Sequence, residues 1–482
     1  MDFVRETLLI NGKRVETEKI TQIYNPARLD QIVGEITMGS ELHVNDAVEA
    51  ASQAWQKWAE VPAHERAQYL QLTAEYIEKN CDELARLLVM EHGKVLQDAK
   101  VDLLSSANVL KYYATIVDEL KDQVVENSQG KMILTRQPVG VVSVIVPWNY
   151  PIILAFLMLA PALLAGNSVV LKPSTYCPLT LTKILKEMSA ILPDGVLNIV
   201  LGSGTTVGGA MVTHPKVRKV SFTGSTEVGR SILKGISDTV KNVSMELGGN
   251  DAAIILKDAV VNDQLINEFI KGVFTSSGQI CYGIKRIYVH KDHYNHFVEQ
   301  FTKAADNILV GFGLDPDITM GPINNKSQYE TVKNLIEATK KSGANVKSVG
   351  RLADNVTLES GYFILPTIVT GVKHSDDIVQ QEQFGPVIPI VPFDNEEEAI
   401  QMANDSEFGL GNSIWTSDVD RGFKLGRKLQ SGSVFVNIHR IGASAANMPF
   451  GGFKQSGIGR GHGVEGLLEN TELQAIINRT DM

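Results

Sequence analysis

The chain has 482 residues, a formal net charge of −10, 44% hydrophobic and 21% charged residues. That length holds about two or three domains around a large core, in a composition ordinary for a globular protein. The acidic balance without any basic block excludes nucleic acid as an expected partner, and three scattered cysteines exclude a disulfide framework and fit a reducing cytoplasm.

Met1 to Thr7 lacks the charged-then-apolar pattern of a secretory leader. Leu8 to Val15 reads as a hairpin turning at Asn11-Gly12. Ile32 to Ile36 reads as a short strand. From Ser40 to about Leu120 apolar residues recur at helical spacing, through Ala47, Ala51, Trp55 and Trp58 and later Leu70, Ile77, Leu84 and Leu88. These helices carry no evident chemistry and read as scaffold. Met132 to Arg136 and Val139 to Val146 read as strands, the second almost wholly apolar, as in a strand covered on both faces. Ile152 to Ala165 is an uncharged helical run containing Pro161. It falls short of the roughly 20 residues a membrane span needs, so no membrane is expected.

Further strands are predicted at Ser168 to Leu171, Leu197 to Leu201, Lys219 to Phe222 and Ala252 to Leu256, with helices between. Such alternation predicts open parallel α/β sheets, which bind ligands beyond the carboxyl ends of their strands. A second α/β segment follows to Asn437, with helices near Asp263 to Phe274 and His293 to Leu309 and strands near Arg286 to Val289, Ile388 to Pro392 and Ser433 to Asn437. Thr471 to Asn478 reads as a terminal strand.

Cys81 and Cys177 read as small packing residues. Cys281 follows a Ser-Ser-Gly-Gln turn, where backbone N–H groups are expected to lower a thiol's pKa and favour the nucleophilic thiolate. Glu246, ahead of Gly248 and Gly249, is a candidate base for a water. Asn149, between Trp148 and Tyr150 at a strand end, is a candidate oxyanion donor. Gly202 to Gly208 is one residue too long for the dinucleotide fingerprint, whereas Phe222 to Gly229 reads as strand end, Gly-Ser turn and helix start, a natural phosphate site that also suits a simple N-cap. No metal-ligating cluster stands out.

Pro147-Trp148-Asn149, Lys172-Pro173-Ser174, Phe222-Thr223-Gly224-Ser225, Glu246-Leu247-Gly248-Gly249, Gly278-Gln279-Ile280-Cys281, Glu382-Gln383-Phe384-Gly385-Pro386 and Pro449-Phe450-Gly451-Gly452 occur in one order. Together, across essentially the whole chain, they resemble the aldehyde dehydrogenase superfamily. The resemblance implies an open Rossmann-type cofactor domain (1–119 and 140–247), an α/β catalytic domain (248–455) and a small β oligomerisation arm (120–139 and 456–482), with a homodimer or homotetramer as the assembly.

It also implies oxidation of an aldehyde to its acid with NAD or NADP. Cys281 would be the nucleophile, Asn149 the oxyanion donor and Glu246 the base. Trp148, Lys172, Ser174, Thr175, Gly204, Ser225, Gly248, Glu382 and Phe384 would hold the cofactor. Where relatives often carry Glu after Lys-Pro-Ser, this chain has Thr175, which repels no 2′-phosphate, so NADP is expected to be tolerated. Asn250 and Gly461 also depart from the common pattern. Tyr150, Ile153, Leu154, Leu157, Ile280, Tyr282 and Phe450 would line the substrate tunnel. That apolar set favours a neutral aliphatic or aromatic aldehyde, unless Lys285, His439 or Arg440 reaches in. A CoA-acylating relative would tend to lack the carboxylate at Glu246, and a non-catalytic protein on this fold would not need Cys281, Glu246 and Asn149 together.

Overall fold

The protein is described from a computed structural model covering residues 3–128 and 130–479. Met1, Asp2, Gln129 and residues 480–482, at the edges of the start, arm and terminal segments named above, lie outside it.

The first sheet has eight strands. Its centre is parallel: Asn242–Glu246, Val217–Thr223, Val141–Ile145, Ser168–Lys172 and Leu197–Ile199 lie side by side in that order. Val141–Ile145 and Ser168–Lys172 are buried throughout, because helices cover both faces. The hairpin Leu8–Ile10 with Lys13–Val15 closes one edge antiparallel; Asn11 and Gly12 adopt the positive φ values (52° and 72°) that a tight hairpin turn requires. Gly457–Ile458 closes the other edge, antiparallel to Asn242–Glu246. The helical region resolves into Glu41–Glu60, Ala63–Lys79, Cys81–His92 and Leu96–Thr115. The apolar run is the helix Pro151–Leu164, with eleven buried residues and Pro161 inside it.

The second sheet has seven strands, with Asp251–Ile255 at its heart between Ile284–His290 and Gly411–Trp415. A single glycine-rich stretch after Glu246 therefore carries the chain from the edge of one sheet into the centre of the next. A third, antiparallel sheet pairs Thr471–Arg479 with Gly130–Pro138 and then Gln123–Asn127. Val124, Val125, Leu473, Ile476 and Ile477 are exposed on it.

Candidate active site

Cys281 lies at the end of a short turn, Thr275–Gly278, that follows the helix Asp263–Phe274. Ser276 and Ser277 both have left-handed backbone (φ 51° and 58°), which costs about 1–2 kcal/mol per residue. The surroundings hold them there. The Ser276 N–H donates to Asp98 at 3.1 Å, and the Ser277 hydroxyl donates to the Gly321 carbonyl at 2.8 Å. Gln279 is pinned at both ends, its Nε2 to the Ser276 carbonyl and its Oε1 to the Asn324 N–H, each at 2.9 Å. Gly278 has φ 73°, and a Cβ there would stand 2.3 Å from the Gly385 carbonyl, so only glycine fits.

The Asn149 Nδ2 donates to the Gln279 carbonyl at 3.0 Å, which ties the end of the Val141–Ile145 strand to the thiol loop and leaves the second amide N–H for a ligand. Beneath it lies a buried network absent from the sequence reading. Lys94 donates to the Asn149 carbonyl at 3.0 Å and to Asp102 at 3.2 Å, and sits 3.7 Å from the Tyr150 ring centre. Asp102 in turn accepts from the Ile153 N–H at 2.8 Å, at the start of the apolar helix. The Ser40 to Leu120 helices are thus more than scaffold. Asp102 on Leu96–Thr115 and Lys94 in the link before it resemble ordinary solvated charges in one dimension; only tertiary contact reveals the pair.

Glu246 ends its strand opposite this loop. Its Oε2 is buried without a hydrogen-bond partner among the described residues. Burial pushes its carboxyl well above the usual range; Arg460 opposes the shift and Glu469 adds to it. The thiol departs from expectation. Burial, reinforced by Glu246, pushes Cys281 up to about 12, whereas backbone N–H groups were expected to lower it. Desolvation outweighs the turn.

Cys281, Asn149 and Glu246 line one cavity of about 370 Å³, together with Tyr150, Ile153, Leu154, Leu157, Ile280, Tyr282 and Phe450. Tyr282 packs edge-on against Phe450, and His462 stacks on Phe450. Lys285, His439 and Arg440 are not in its wall. Lys285 bonds the Ile280 carbonyl, His439 lies between Ser413 and the Tyr282 carbonyl, and Arg440 pairs with Glu268. The cavity does contain a cation that the sequence reading overlooked. Arg460 lies at the Glu246 end, its Nη1 donating to the Gly459 carbonyl at 2.6 Å.

The residues expected to hold the cofactor lie at and beyond the carboxyl ends of the first sheet's strands. Lys172, at the end of its strand, donates to the Pro173 and Gly202 carbonyls at 2.9 and 3.0 Å, and burial lowers it to about 8. Ser174 and Thr175 follow it, half-buried. A Cβ on Gly204 would meet nothing within 4 Å, so that turn faces open space. Ser225 caps the helix Thr226–Gly235 by accepting from the Val228 N–H at 3.3 Å, which satisfies the N-cap reading and aims the helix's positive end at the same space. Glu382 accepts from the Gly249 N–H at 3.0 Å, and a Cβ on Gly248 would stand 2.7 Å from its other oxygen. Trp148 and Phe384 meet edge-on at 5.6 Å. A bared glycine turn, a helix N-terminus and a buried lysine beyond the strand ends, with a carboxylate at the Gly248-Gly249 turn, are groups that fit a dinucleotide.

The family model described as "Aldehyde dehydrogenase family" matches residues 13–476. Phenylacetaldehyde dehydrogenase of Pseudomonas fluorescens is 37% identical, covering 98% of this chain and 95% of its own. A probable succinate-semialdehyde dehydrogenase of Sinorhizobium fredii, named for NADP(+), is 36% identical over 93% and 91% of the two chains. Among solved structures, an NAD+ complex of aldehyde dehydrogenase from Bacillus cereus superposes with TM-score 0.94 at 36% identity, covering 98% of this chain and 96% of that one.

Proposed function

The chain belongs to the aldehyde dehydrogenase family, an NAD(P)-dependent oxidoreductase that converts aldehydes to acids, and on that premise we propose the roles of its residues. The observation that carries them is the shared cavity, with thiol, amide and carboxylate on its wall.

The Cys281 thiol first loses its proton to solvent; the thiolate sulfur then adds to the aldehyde carbon, forming an S–C bond as the carbonyl π pair moves onto oxygen. The carbonyl oxygen becomes an alkoxide, which the free Asn149 amide N–H and the Cys281 N–H hold. The tetrahedral carbon then gives up its hydrogen with the electron pair, leaving a thioester on Cys281. Bound nicotinamide supplies the acceptor for that hydride. Glu246 takes a proton from a water, which attacks the thioester carbon; the S–C bond breaks and the acid leaves.

Lys172, Ser174, Thr175, Gly204 and Ser225 would hold the adenosine and pyrophosphate end, with Trp148, Gly248, Glu382 and Phe384 at the nicotinamide end. Thr175 carries no negative charge, so NADP would serve as well as NAD. Thr175→Glu should cost NADP about tenfold or more in kcat/KM while sparing NAD; equal effects on both would refute this assignment. The substrate would be a neutral aliphatic or aromatic aldehyde. The relatives' names span phenylacetaldehyde and succinate semialdehyde, and the largely apolar wall favours the former type. NADH formation with a panel containing both aldehydes, wild type against Cys281→Ala, tests nucleophile and substrate class together. A higher kcat/KM for the dicarboxylic semialdehyde would overturn the preference.

Residues 1–119 and 140–247 would form the cofactor domain, 248–455 the catalytic domain, and 120–139 with 456–482 the arm. The exposed apolar side chains of the arm sheet support pairing with a second copy as a homodimer or homotetramer. A monomer by light scattering would refute that. Unpaired Cys81, Cys177 and Cys281 suit a reducing cytoplasm. Among the described residues no helix is long and apolar enough to cross a membrane.

A further inference from the structure

We propose that Lys285 is a positioning residue for the reaction: from beneath the thiol loop it fixes and polarises the Ile280–Cys281 peptide and sets a buried positive charge against the Cys281 thiolate. Lys285 is the second residue of the strand Ile284–His290 and is only 2% exposed. Its Nζ donates to the Ile280 carbonyl, the oxygen of the same peptide unit whose N–H belongs to Cys281. A charge-assisted bond to a carbonyl draws electrons through the amide and strengthens its N–H as a donor. The local sequence makes room for this. A Cβ on Gly283 would stand 3.0 Å from Nζ.

Burial lowers the Lys285 pKa while Glu382, Asp251 and Cys281 hold it up, so its charge is kept at a desolvation cost that an apolar side chain would not carry. The groups around the sulfur give that cost a use. Glu246 faces it from the first sheet, Asp251 from the adjacent strand and Glu382 from the cofactor side, and all three oppose the thiolate; Lys285 favours it. His439 stands 3.7 Å from Asp251, behind the loop. Lys285 also lies 5.7 Å from the centre of the Phe384 ring, so it bridges the thiol loop and the proposed nicotinamide end.

The inference rests on Cys281 as the nucleophile, and its test reads the thiol directly, so it is answered whether or not that role holds. The full-length Lys285→Met, Lys285→Gln and Lys285→Arg proteins are checked for folding by circular dichroism. Cys281 alkylation by iodoacetamide is then followed by peptide mass spectrometry across a pH series. The Met and Gln proteins should alkylate about tenfold or more slowly at a given pH, equivalent to a midpoint raised by about one unit, while Arg stays within about twofold of wild type. With aldehyde and NAD, kcat should fall in the neutral variants with KM little changed. A folded Met or Gln protein with the wild-type alkylation profile overturns the proposal. So does failure of both neutral proteins to fold while Arg restores the fold without the profile.

Discussion

The two walls of the cavity are built in opposite ways. The thiol wall is strained and fully tied down: left-handed serines, a glycine with no room for a Cβ, Gln279 bonded at both ends, and Asn149 locked to the loop over Lys94 and Asp102. The carboxylate wall ends in Glu246, whose buried Oε2 has no hydrogen-bond partner among the described residues and which precedes Leu247 and two glycines. A nucleophile must meet one carbon at one angle, so rigidity helps it. A base that has to accept a water after the first half-reaction gains from an oxygen left uncommitted.

That contrast can be broken first at the sulfur. Cys281→Ala should abolish turnover, by about 10⁴-fold or more, with no first-turnover burst of NADH. Glu246→Gln should sharpen the contrast. Steady-state turnover should fall about 10²–10⁴-fold while the burst persists, because only release of the acid needs the base. Loss of the burst as well would assign Glu246 to the first half-reaction. Asn149→Ala should cost about 10²–10³-fold in the burst rate itself, as an oxyanion donor does. The smallest effect is one of pH. Both Cys281 and Glu246 are shifted upward, and both act as their deprotonated forms, so kcat/KM should rise as pH increases through the alkaline range. A profile that falls as pH rises from neutrality would contradict both shifts.

The parts legible in the sequence are those whose chemistry is local. Cys281 stood out through its Ser-Ser-Gly-Gln turn and Ser225 through its place between a strand end and a helix start, whereas Lys172 came from the family resemblance. The hairpin at Asn11-Gly12 and the helix Asp263–Phe274 followed from turn chemistry and periodicity. Lys94 and Asp102 were illegible because the groups they hold, the Asn149 carbonyl and the Ile153 N–H, lie about fifty residues along the chain. The thiol's pKa was misjudged for a related reason. The turn predicts a lowered value, but the desolvation that raises it comes from elements on all sides of the loop. Arg460 escaped notice because nothing in its Gly-rich surroundings marks it as facing a cavity.

The closing strands carry a lesson for biogenesis. Phe450, Gly461 and His462 complete the cavity wall, Gly457–Ile458 seals the sheet edge beside Glu246, and Gly130–Pro138 waits for Thr471–Arg479. On the ribosome the parallel strands up to Gly411–Trp415 therefore emerge before the pocket has its last side. A nascent chain stalled short of Phe450 would present Cys281 half-walled to any passing electrophile, which makes the interval before termination the time when this sulfur most needs a chaperone's cover.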